Sequence, residues 1–351
     1  MRNSASATGV GLAGLAVGTL LSVLPAQAQE LESLSIMLSN NNTTNLYPHV
    51  VARDLGLYEK AGLKVTTLDS ETTVPYVAFL SNGDADIVML DAPQTFQAVN
   101  AKQPIKVIYE AMQNAPEVLA VVDTSDITSL DQLKGKVIGL ASDRDQITAQ
   151  VVLDTAGISI DEVQTVVVGD SGPVVAKALK DNQIQAIASA VNDLAVLAPM
   201  GIKTRDLTPP EVKVNPANTF SVWVPRMEEL RPRLEKFFRV WAAATAAAKI
   251  DRDAVARICA KAVPEEWENK DAGEALLDAS IALNFPVTEK FGDVEPEVWA
   301  KVQAPYIKFG QIEGQLDPAT FLDGSFIDYA NGFSEDEMKA ALEEWKAANP
   351  S

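Results

Sequence analysis

Residues 47–69, YPHVVARDLGLYEKAGLKVTTLD, set an architecture that much of the chain repeats. The first sixteen residues are typical of a helix, and Gly62 is a typical helix stop. KVTTLD at 64–69 then has the composition and length of a strand. Because another strand-like run, SLSIMLS, precedes them at 33–39, the three segments predict a β-α-β unit with parallel strands.

The same alternation continues along the chain and then restarts. Further strands are predicted at 86–90, 106–112, 117–123, 137–141, 163–169, 186–190, 202–207 and 220–225. Further helices are predicted at 74–83, 93–101, 144–157, 172–183, 192–201 and 226–250, the last opening an almost wholly helical C-terminal part. This order predicts an α/β fold of two lobes around a hinged cleft.

The predicted lobes exchange the chain twice, so lobe 1 is discontinuous. We place lobe 1 at 29–121 and 220–351, with the C-terminal helices packed on it, and lobe 2 at 122–219. The crossings between them are predicted at 121–125 and 214–221. Ligands of open α/β sheets lie outside the carboxyl ends of the strands, so the cleft between the lobes is the expected binding site. Hinge closure around a small solute is the expected mechanism.

The first 28 residues predict export. Arg2 is followed by the uncharged apolar stretch Gly9 to Leu24, then Pro25 and the small-x-small sequence Ala26-Gln27-Ala28. This pattern is typical of a secretory signal cleaved after Ala28, whereas a retained N-terminal anchor is the alternative. The leader contains no cysteine, which excludes a lipoprotein signal. We therefore expect a periplasmic protein.

Composition excludes several classes of function. The formal net charge of −19 argues against nucleic acid as a partner, because the two would repel each other. A single cysteine, Cys259, excludes an internal disulfide and a thiolate zinc site, and we expect it to be buried in a helix. A single histidine, His49, excludes metal sites with two histidine ligands; it is expected on the surface of the first helix or facing the cleft. No metal and no cofactor are expected.

Four segments resemble one known family, the periplasmic solute-binding proteins of nitrate/sulfonate/taurine-type ABC importers, a group that also includes binders of thiamine precursors. Residues 47–65 resemble the first helix and second strand of that family, and FLSNGDADIVMLDAPQ at 79–94 resembles the turn before its third strand. SLDQLKGKVIGL at 129–140 resembles the entry into its second lobe. EVWAKVQAPYIKFGQIEGQLDPATFLDGSFI at 297–327 resembles its closing helices.

The resemblance implies the type II periplasmic-binding-protein fold and a non-catalytic role. A monomer would bind a small polar organic solute, related to sulfonate, nitrate or taurine, and deliver it transiently to an ABC permease in the inner membrane. A nitrogen heterocycle such as a thiamine pyrimidine precursor is the alternative solute. Two other roles stay open: a ligand-binding protein for a sensor, and an enzyme like the pyridoxal-phosphate-dependent pyrimidine synthase that consumes its own histidine.

Polar loops after the predicted strands supply the candidate ligand contacts in lobe 1. The amide-rich loop after strand 33–39 can donate and accept hydrogen bonds, although a solvated turn that caps the next helix is the alternative. Asp91 can bind a ligand N–H or cap the helix in which Pro93 occupies the first turn. The candidate ligand residues of these loops are Asn40, Asn41, Asn42, Thr43, Asp91, Pro93 and Gln94.

The loops of lobe 2 leave the charge of the solute open. Ser142 and Arg144 suit a sulfonate or carboxylate. Asp143 and Asp145 flank Arg144, however, so they either neutralise it, favour a cationic or amine-bearing solute, or only cap a helix. The candidate ligand residues here and at the return crossing are Ser142, Arg144, Asp170, Ser171, Asn192 and Asn218, the last of which is also a candidate hinge residue.

Overall fold

In the computed structural model, which describes residues 30–40, 42–68 and 75–350, ten strands form two separate five-stranded sheets. The strands are β1 (Glu32–Met37), β2 (Leu63–Thr67), β3 (Ile87–Leu90), β4 (Ile105–Met112), β5 (Glu117–Val122), β6 (Val137–Leu140), β7 (Gln164–Val167), β8 (Ala186–Ala190), β9 (Thr204–Asp206) and β10 (Ala217–Trp223).

Helices connect most of these strands and make up most of the chain after β10. They are α1 (Tyr47–Asp54), α2 (Leu57–Lys60), α3 (Tyr76–Asn82), α4 (Ala92–Asn100), α5 (Asp145–Thr155), α6 (Gly172–Lys180), α7 (Val191–Ala195), α8 (Pro210–Lys213), α9 (Met227–Ile250), α10 (Arg252–Ala262), α11 (Lys270–Asn284), α12 (Pro296–Lys301), α13 (Gln303–Lys308), α14 (Ile327–Ala330) and α15 (Glu335–Ala348).

Both sheets have the same plan, in which parallel strands are joined by one strand that runs the other way. The first sheet has the order β2-β1-β3-β10-β4, with β1 parallel to β2 and β3 and with β10 antiparallel to β3 and β4. The second has the order β7-β6-β8-β5-β9, with β6 parallel to β7 and β8 and with β5 antiparallel to β8 and β9. The prediction of an α/β fold with mostly parallel β-α-β units is confirmed.

The chain passes from the first sheet to the second earlier than predicted. Strand β5 pairs with β8, with Glu117 opposite Ala190, so it belongs to the second sheet. The passage therefore lies between Met112 and Glu117, and the crossing predicted at 121–125 falls at the end of β5 and after it. The return passage lies between β9 and β10, at 207–216. The sequence of an apolar strand does not specify which sheet the strand will join, because it can pack in either core.

The helical C-terminal part packs on the first sheet, as predicted. Helix α9 contacts α1, α14 and α15. Its rings Phe237, Phe238 and Trp241 are buried against Phe220 of β10, with ring centroids 4.9 to 5.5 Å apart. Aromatic packing of this kind makes the face of the first sheet the main apolar core of the protein.

The single long helix predicted for residues 47–62 is instead two helices. Helix α1 ends at Asp54, and Gly56 adopts a left-handed conformation with φ of 62° before α2 begins. Glycine reaches that conformation without strain, which lets the chain turn between the two helices. The apolar spacing hid this break because α1 and α2 bury residues in the same core.

Two predictions concern residues outside the described ranges. The predicted signal segment, residues 1–28, and Asn41 both lie there. Within the described ranges, no helix combines the length and the apolar character needed to cross a bilayer.

Candidate functional site

A cavity of about 420 Å³ lies between segments that come from both sheets. Helix α5, which follows β6 of the second sheet, forms one wall, and helices α12 and α13 form the opposite wall. The two connections between the sheets contribute Ala115, Val214 and Asn215 to its lining. This volume is in the range of pockets that hold small ligands, roughly 300–1,000 Å³.

The walls of the cavity are largely aliphatic, and its exposed side carries charges. Ile147 and Val151 of α5 face Val298 of α12 and Val302, the residue that follows it. At the exposed side Lys308 of α13 lies 2.5 Å from Asp154 of α5, an ion pair that links the two walls.

Three polar side chains, Glu117, Asn215 and Tyr306, lie at a more buried part of the lining. Asn215 Nδ2 donates a hydrogen bond to Tyr306 Oη over 3.3 Å. Its Oδ1 atom is buried, and it has no hydrogen-bond partner in the part of the chain that the structure describes. Glu117 starts strand β5 beside the last residue of β8. The cavity therefore combines an apolar space with a few converging polar groups, the usual composition of a ligand site.

Charged residues of two predicted ligand loops shift the pKa of Glu117. Burial raises the pKa of Glu117 to about 7, and the charges of Asp91 and Asp145 add to that rise, whereas Arg144 lowers it. A carboxyl group with a strongly perturbed pKa in a cavity is a typical feature of functional sites. The starts of α4 and α5 thus lie near the same end of the cavity as β5.

Asp91 caps helix α4, one of the two roles predicted for it. Its Oδ1 accepts the backbone N–H of Gln94 over 2.8 Å, and Gln94 Oε1 accepts the N–H of Asp91 over 3.0 Å. Pro93 lies in the first turn of this helix, as predicted. Burial raises the pKa of the Asp91 carboxyl, and the Gln94 hydrogen bond and the charge of Arg144 oppose that rise.

The loop before α5 is organised around Asp145 rather than Arg144. Asp145 Oδ2 accepts hydrogen bonds from the backbone N–H and the hydroxyl of Ser142, each over 2.7 Å. Arg144 is exposed and makes no side-chain hydrogen bond or salt bridge within the described ranges. The Ser142 hydroxyl, predicted as a ligand contact, thus already donates to a carboxylate.

The loops after β7 and β8 bring a second acidic group into this region. Burial raises the pKa of Asp193 to about 7, and the charges of Asp170, Asp145 and Glu266 raise it further. Asn192, which is 3% exposed, donates from Nδ2 to Asp193 Oδ1 over 3.2 Å. Its own Oδ1 is buried without a partner among the residues described. Ser171 is exposed and precedes the first residue of α6, and its side chain makes no capping hydrogen bond.

The amide-rich loop after β1 is bound to helices of the first sheet. Thr43 Oγ1 donates to Glu266 Oε1 over 2.7 Å, and Asn42 Nδ2 donates to the carbonyl oxygen of Ala262 over 3.3 Å. Asn40 Oδ1 accepts the backbone N–H of Asn42. The alternative that Thr44 or Asn45 caps helix α1 is wrong, because α1 follows Leu46 and has no side-chain cap. Thr43 instead caps the short 3-10 helix Thr44–Leu46 by accepting the N–H of Asn45.

Two further predicted positions, Asn218 and His49, lie in a strand and in a helix. Asn218 lies in β10 with a left-handed backbone, φ of 49°, and its Nδ2 is 3.2 Å from Met112 Sδ. His49 is 4% exposed, with Nδ1 3.1 Å from the Tyr58 hydroxyl and its ring stacked on Trp241. It is therefore a core residue, contrary to both predicted positions, and burial lowers its pKa to about 4.

None of the predicted ligand residues that the structure describes lines the cavity. Asp91 and Arg144 are close enough to Glu117 to act on its pKa, and Asp170 acts in the same way on Asp193. The polar lining consists instead of residues that the sequence did not indicate. Glu117, Asn215 and Tyr306 were missed. Glu117 opens an antiparallel strand, so the start of that strand meets the carboxyl ends of parallel strands, whereas the predicted ligand residues all come from segments that follow strands or lie at the return crossing. An acidic residue before the apolar run VLAVV was the available signal.

Comparison with known proteins agrees with this architecture. The family described as NMT1/THI5 like matches residues 43–253, more than half of the chain. A search of curated protein sequences found no match.

Solved structures with the same fold include both binding proteins and an enzyme. The periplasmic aliphatic sulphonate binding protein SsuA from Escherichia coli has a TM-score of 0.65 at 16% identity, covering 84% of this chain and 94% of its own. The periplasmic nitrate-binding protein NrtA from Synechocystis has a TM-score of 0.56 at 13% identity, covering 92% and 89%. The desulfurization enzyme DSZB has a TM-score of 0.59 at 13% identity, covering 90% and 99%. These likenesses establish the type II periplasmic-binding-protein fold.

Proposed function

This chain belongs to the NMT1/THI5-like family, and on that premise we propose that it is the periplasmic solute-binding component of an ABC importer. It binds a small organic solute in a cleft, closes around it and presents it to a permease in the inner membrane. No bond of the solute is made or broken.

The observation that carries this proposal is the position of the cavity. Its lining comes from α5 on one side, from α12 and α13 on the other, and from both connections between the sheets. A solute held there contacts both halves of the molecule at once. Relative movement of the halves then changes the fit around the solute, which is how a binding protein couples binding to closure.

We take the two sheets with their covering helices as the two lobes of this clamshell. The hinge then consists of two short segments, 113–116 and 207–216, between the last strand of one sheet and the first strand of the other. Asn215 lies in the second segment and also faces the cavity. The hinge and the solute site are thus neighbours in the chain.

The placement of the reactive side chains supports binding over catalysis. Cys259 is 0% exposed in α10, as the sequence analysis expected, and burial raises its pKa to about 12, so its thiolate is strongly disfavoured. His49 lies in the same core. Neither side chain lines the cavity.

A thermal-shift screen tests the proposal directly. A solute that binds only the folded protein raises its stability by mass action, about 2.7 kcal/mol at a hundredfold excess over the dissociation constant. The screen covers alkyl and aryl sulfonates, nitrate, taurine, aminopyrimidines and simple amines, followed by chromatography of the recovered solute. We expect a shift with unchanged solute; a chemically converted solute contradicts the proposal.

Substitution of Arg144 separates the two solute classes left open by the sequence. If the solute is an anion related to sulfonate or nitrate, Arg144→Ala removes the exposed cation that acts on Glu117 and abolishes the thermal shift. If the solute is cationic or neutral, the shift persists or grows, because Arg144 then opposes the ligand charge. Lys177→Ala, an exposed site on α6 whose salt bridge is with Asp181 of the same helix, is the control and leaves the shift unchanged in both cases.

A further inference from the structure

The polar part of the cavity is made mostly of hydrogen-bond acceptors. Glu117 and Asn215 both line it, and the Asn215 Oδ1 atom is buried with no partner among the described residues. The Nδ2 atom of Asn215 donates a hydrogen bond to the Tyr306 hydroxyl. A buried acceptor without a hydrogen-bond donor costs free energy. A bound molecule with N–H groups can donate the missing hydrogen bond, which favours its binding.

Two carboxyl groups with charge of the same sign act on Glu117. Asp91 approaches from the start of α4 and Asp145 from the start of α5, and both raise the pKa of Glu117, while the Tyr306 phenol lies close enough for Glu117 to raise its pKa in turn. Arg144 opposes these charges, but its side chain is exposed and its effect on the pKa of Glu117 is smaller than that of Asp91 or Asp145. An anion placed here would meet carboxyl groups in a desolvated space, where repulsion is strong.

The walls of the cavity indicate the chemistry of the rest of the solute. Ile147, Val151, Val298 and Val302 offer aliphatic surface on both sides of the cavity. The lysines of the lining, Lys301 and Lys308, are exposed, and Lys308 is already paired with Asp154. A molecule that fills the cavity therefore places an apolar body between the walls and a donor group at Glu117.

We infer that the solute is an organic amine with an apolar body, whose protonated nitrogen donates to Glu117 and to Asn215 Oδ1. This assignment rests on the proposed solute-binding function and names the chemistry of its ligand. Glu117 supplies the compensating charge, Asn215 supplies an oriented neutral acceptor, and the aliphatic walls exclude water from both.

The test uses two probes that share one body and differ only in the end group, 2-phenylethylamine and 2-phenylethanesulfonate. Isothermal titration of the mature protein at pH 8 is expected to show saturable binding of the amine and none of the sulfonate. Binding of the sulfonate alone, or of both probes equally, overturns the assignment and leaves the solute-binding function standing. Absence of amine binding at millimolar concentration overturns it as well, while a shift from another solute in the wider screen still supports the proposed function.

Two variants locate the amine. Glu117→Gln keeps the shape of the side chain and removes its charge, and we expect at least tenfold weaker amine binding. Asn215→Ala removes the orphan acceptor, and we expect a loss of at least threefold. Glu297→Gln, an exposed glutamate at the start of α12 that is not part of the lining, is the matched control and binds as the wild type does. Wild-type affinity in both Glu117→Gln and Asn215→Ala contradicts the assignment even if the amine binds elsewhere.

The pH dependence gives a readout that a purely structural role would not produce. The Glu117 carboxyl must ionise to attract a cation, and its pKa in the empty cavity is about 7. Amine binding is therefore expected to be at least about fivefold weaker at pH 5.5 than at pH 8, because the carboxyl is then mostly protonated. In Glu117→Gln that dependence should disappear, and its persistence there would assign the titrating group to another residue.

Discussion

Glu110 is a carboxyl group that the fold holds away from water. It is 4% exposed, and its Oε1 accepts the indole N–H of Trp299 over 2.5 Å. Burial raises its pKa to about 8; the Trp299 hydrogen bond opposes this rise, and the charges of Glu295 and Asp293 add to it. The folded protein therefore holds this proton at pH values where the unfolded chain has already lost it.

The substitution Glu110→Gln tests this account. Because the folded pKa is raised, the wild-type protein loses stability as the pH rises from about 4.5 to about 8. The amide still accepts the Trp299 hydrogen bond and carries no charge, so the variant is expected to be more stable than the wild type at pH 9, by about 3 kcal/mol, and nearly equal to it at pH 5. Urea denaturation at both pH values measures the difference.

The control for that experiment is Glu289→Gln, which changes an exposed glutamate of the same C-terminal part. It should unfold as the wild type does at both pH values. If Glu110→Gln is destabilised equally at pH 5 and pH 9, the buried carboxyl contributes through its shape or hydrogen bonds and not through its ionisation.

At the scale of elements, Asp91 caps the start of α4 and lies close enough to Glu117 to raise its pKa. Its carboxylate and the Gln94 side chain form a reciprocal capping box. Asp91→Ala removes the cap and should lower the free energy of unfolding by about 1 kcal/mol, whereas Asp91→Asn retains an acceptor oxygen and should lower it by much less. Thermal and urea denaturation of the two variants distinguish these cases.

The same pair of variants separates capping from ligand binding at Asp91. If the carboxylate only caps the helix, Asp91→Asn binds the solute with wild-type affinity. A tenfold loss of affinity in a stable Asp91→Asn variant would show instead that the negative charge acts on the solute.

Strand β5 shows why part of the site was absent from the sequence analysis. The expectation that ligand residues follow parallel strands led to Asp91, Arg144 and Asn192, none of which lines the cavity. It missed Glu117, because β5 runs antiparallel to β8 and brings its first residue to that same edge of the sheet. Strand direction in a mixed sheet depends on which sheet the strand joins, and local composition does not encode that choice.

At the scale of the whole molecule, the two sheets are joined by only two connections, which predicts closure on binding. Spin labels at Lys64→Cys on β2 and Gln164→Cys on β7 report the distance between the outer edges of the two sheets. Addition of a binding solute should change that distance by several ångström, because hinge rotation displaces points far from the hinge most. The native Cys259 is fully buried and should not react with the label.

A second pair of labels provides the control for closure. Lys64→Cys and Gln97→Cys both lie on the first sheet and its helices, and their distance should stay constant when solute is added. A distance between the sheets that also stays constant, under conditions where calorimetry shows saturation, contradicts the clamshell mechanism.

The sequence by itself determined the α/β class, the order of nearly all strands and helices, the family and the packed C-terminal helices. Those features follow from local periodicity, turn residues and motifs that neighbouring residues define together. Only the tertiary structure decided which sheet takes β5, that His49 is a core residue, and that Thr43 caps a short helix and bonds to Glu266.

The cavity is also a feature that only the tertiary structure decided. Its lining joins residues near 115, 147, 215 and 302, and no local pattern links positions so far apart in the chain. The apolar residues among them resemble core positions, and Glu117 resembles a surface charge at a strand end. Their common role arises because two sheets, two connections and the C-terminal helices meet at one place, and that meeting is a property of packing over the entire chain.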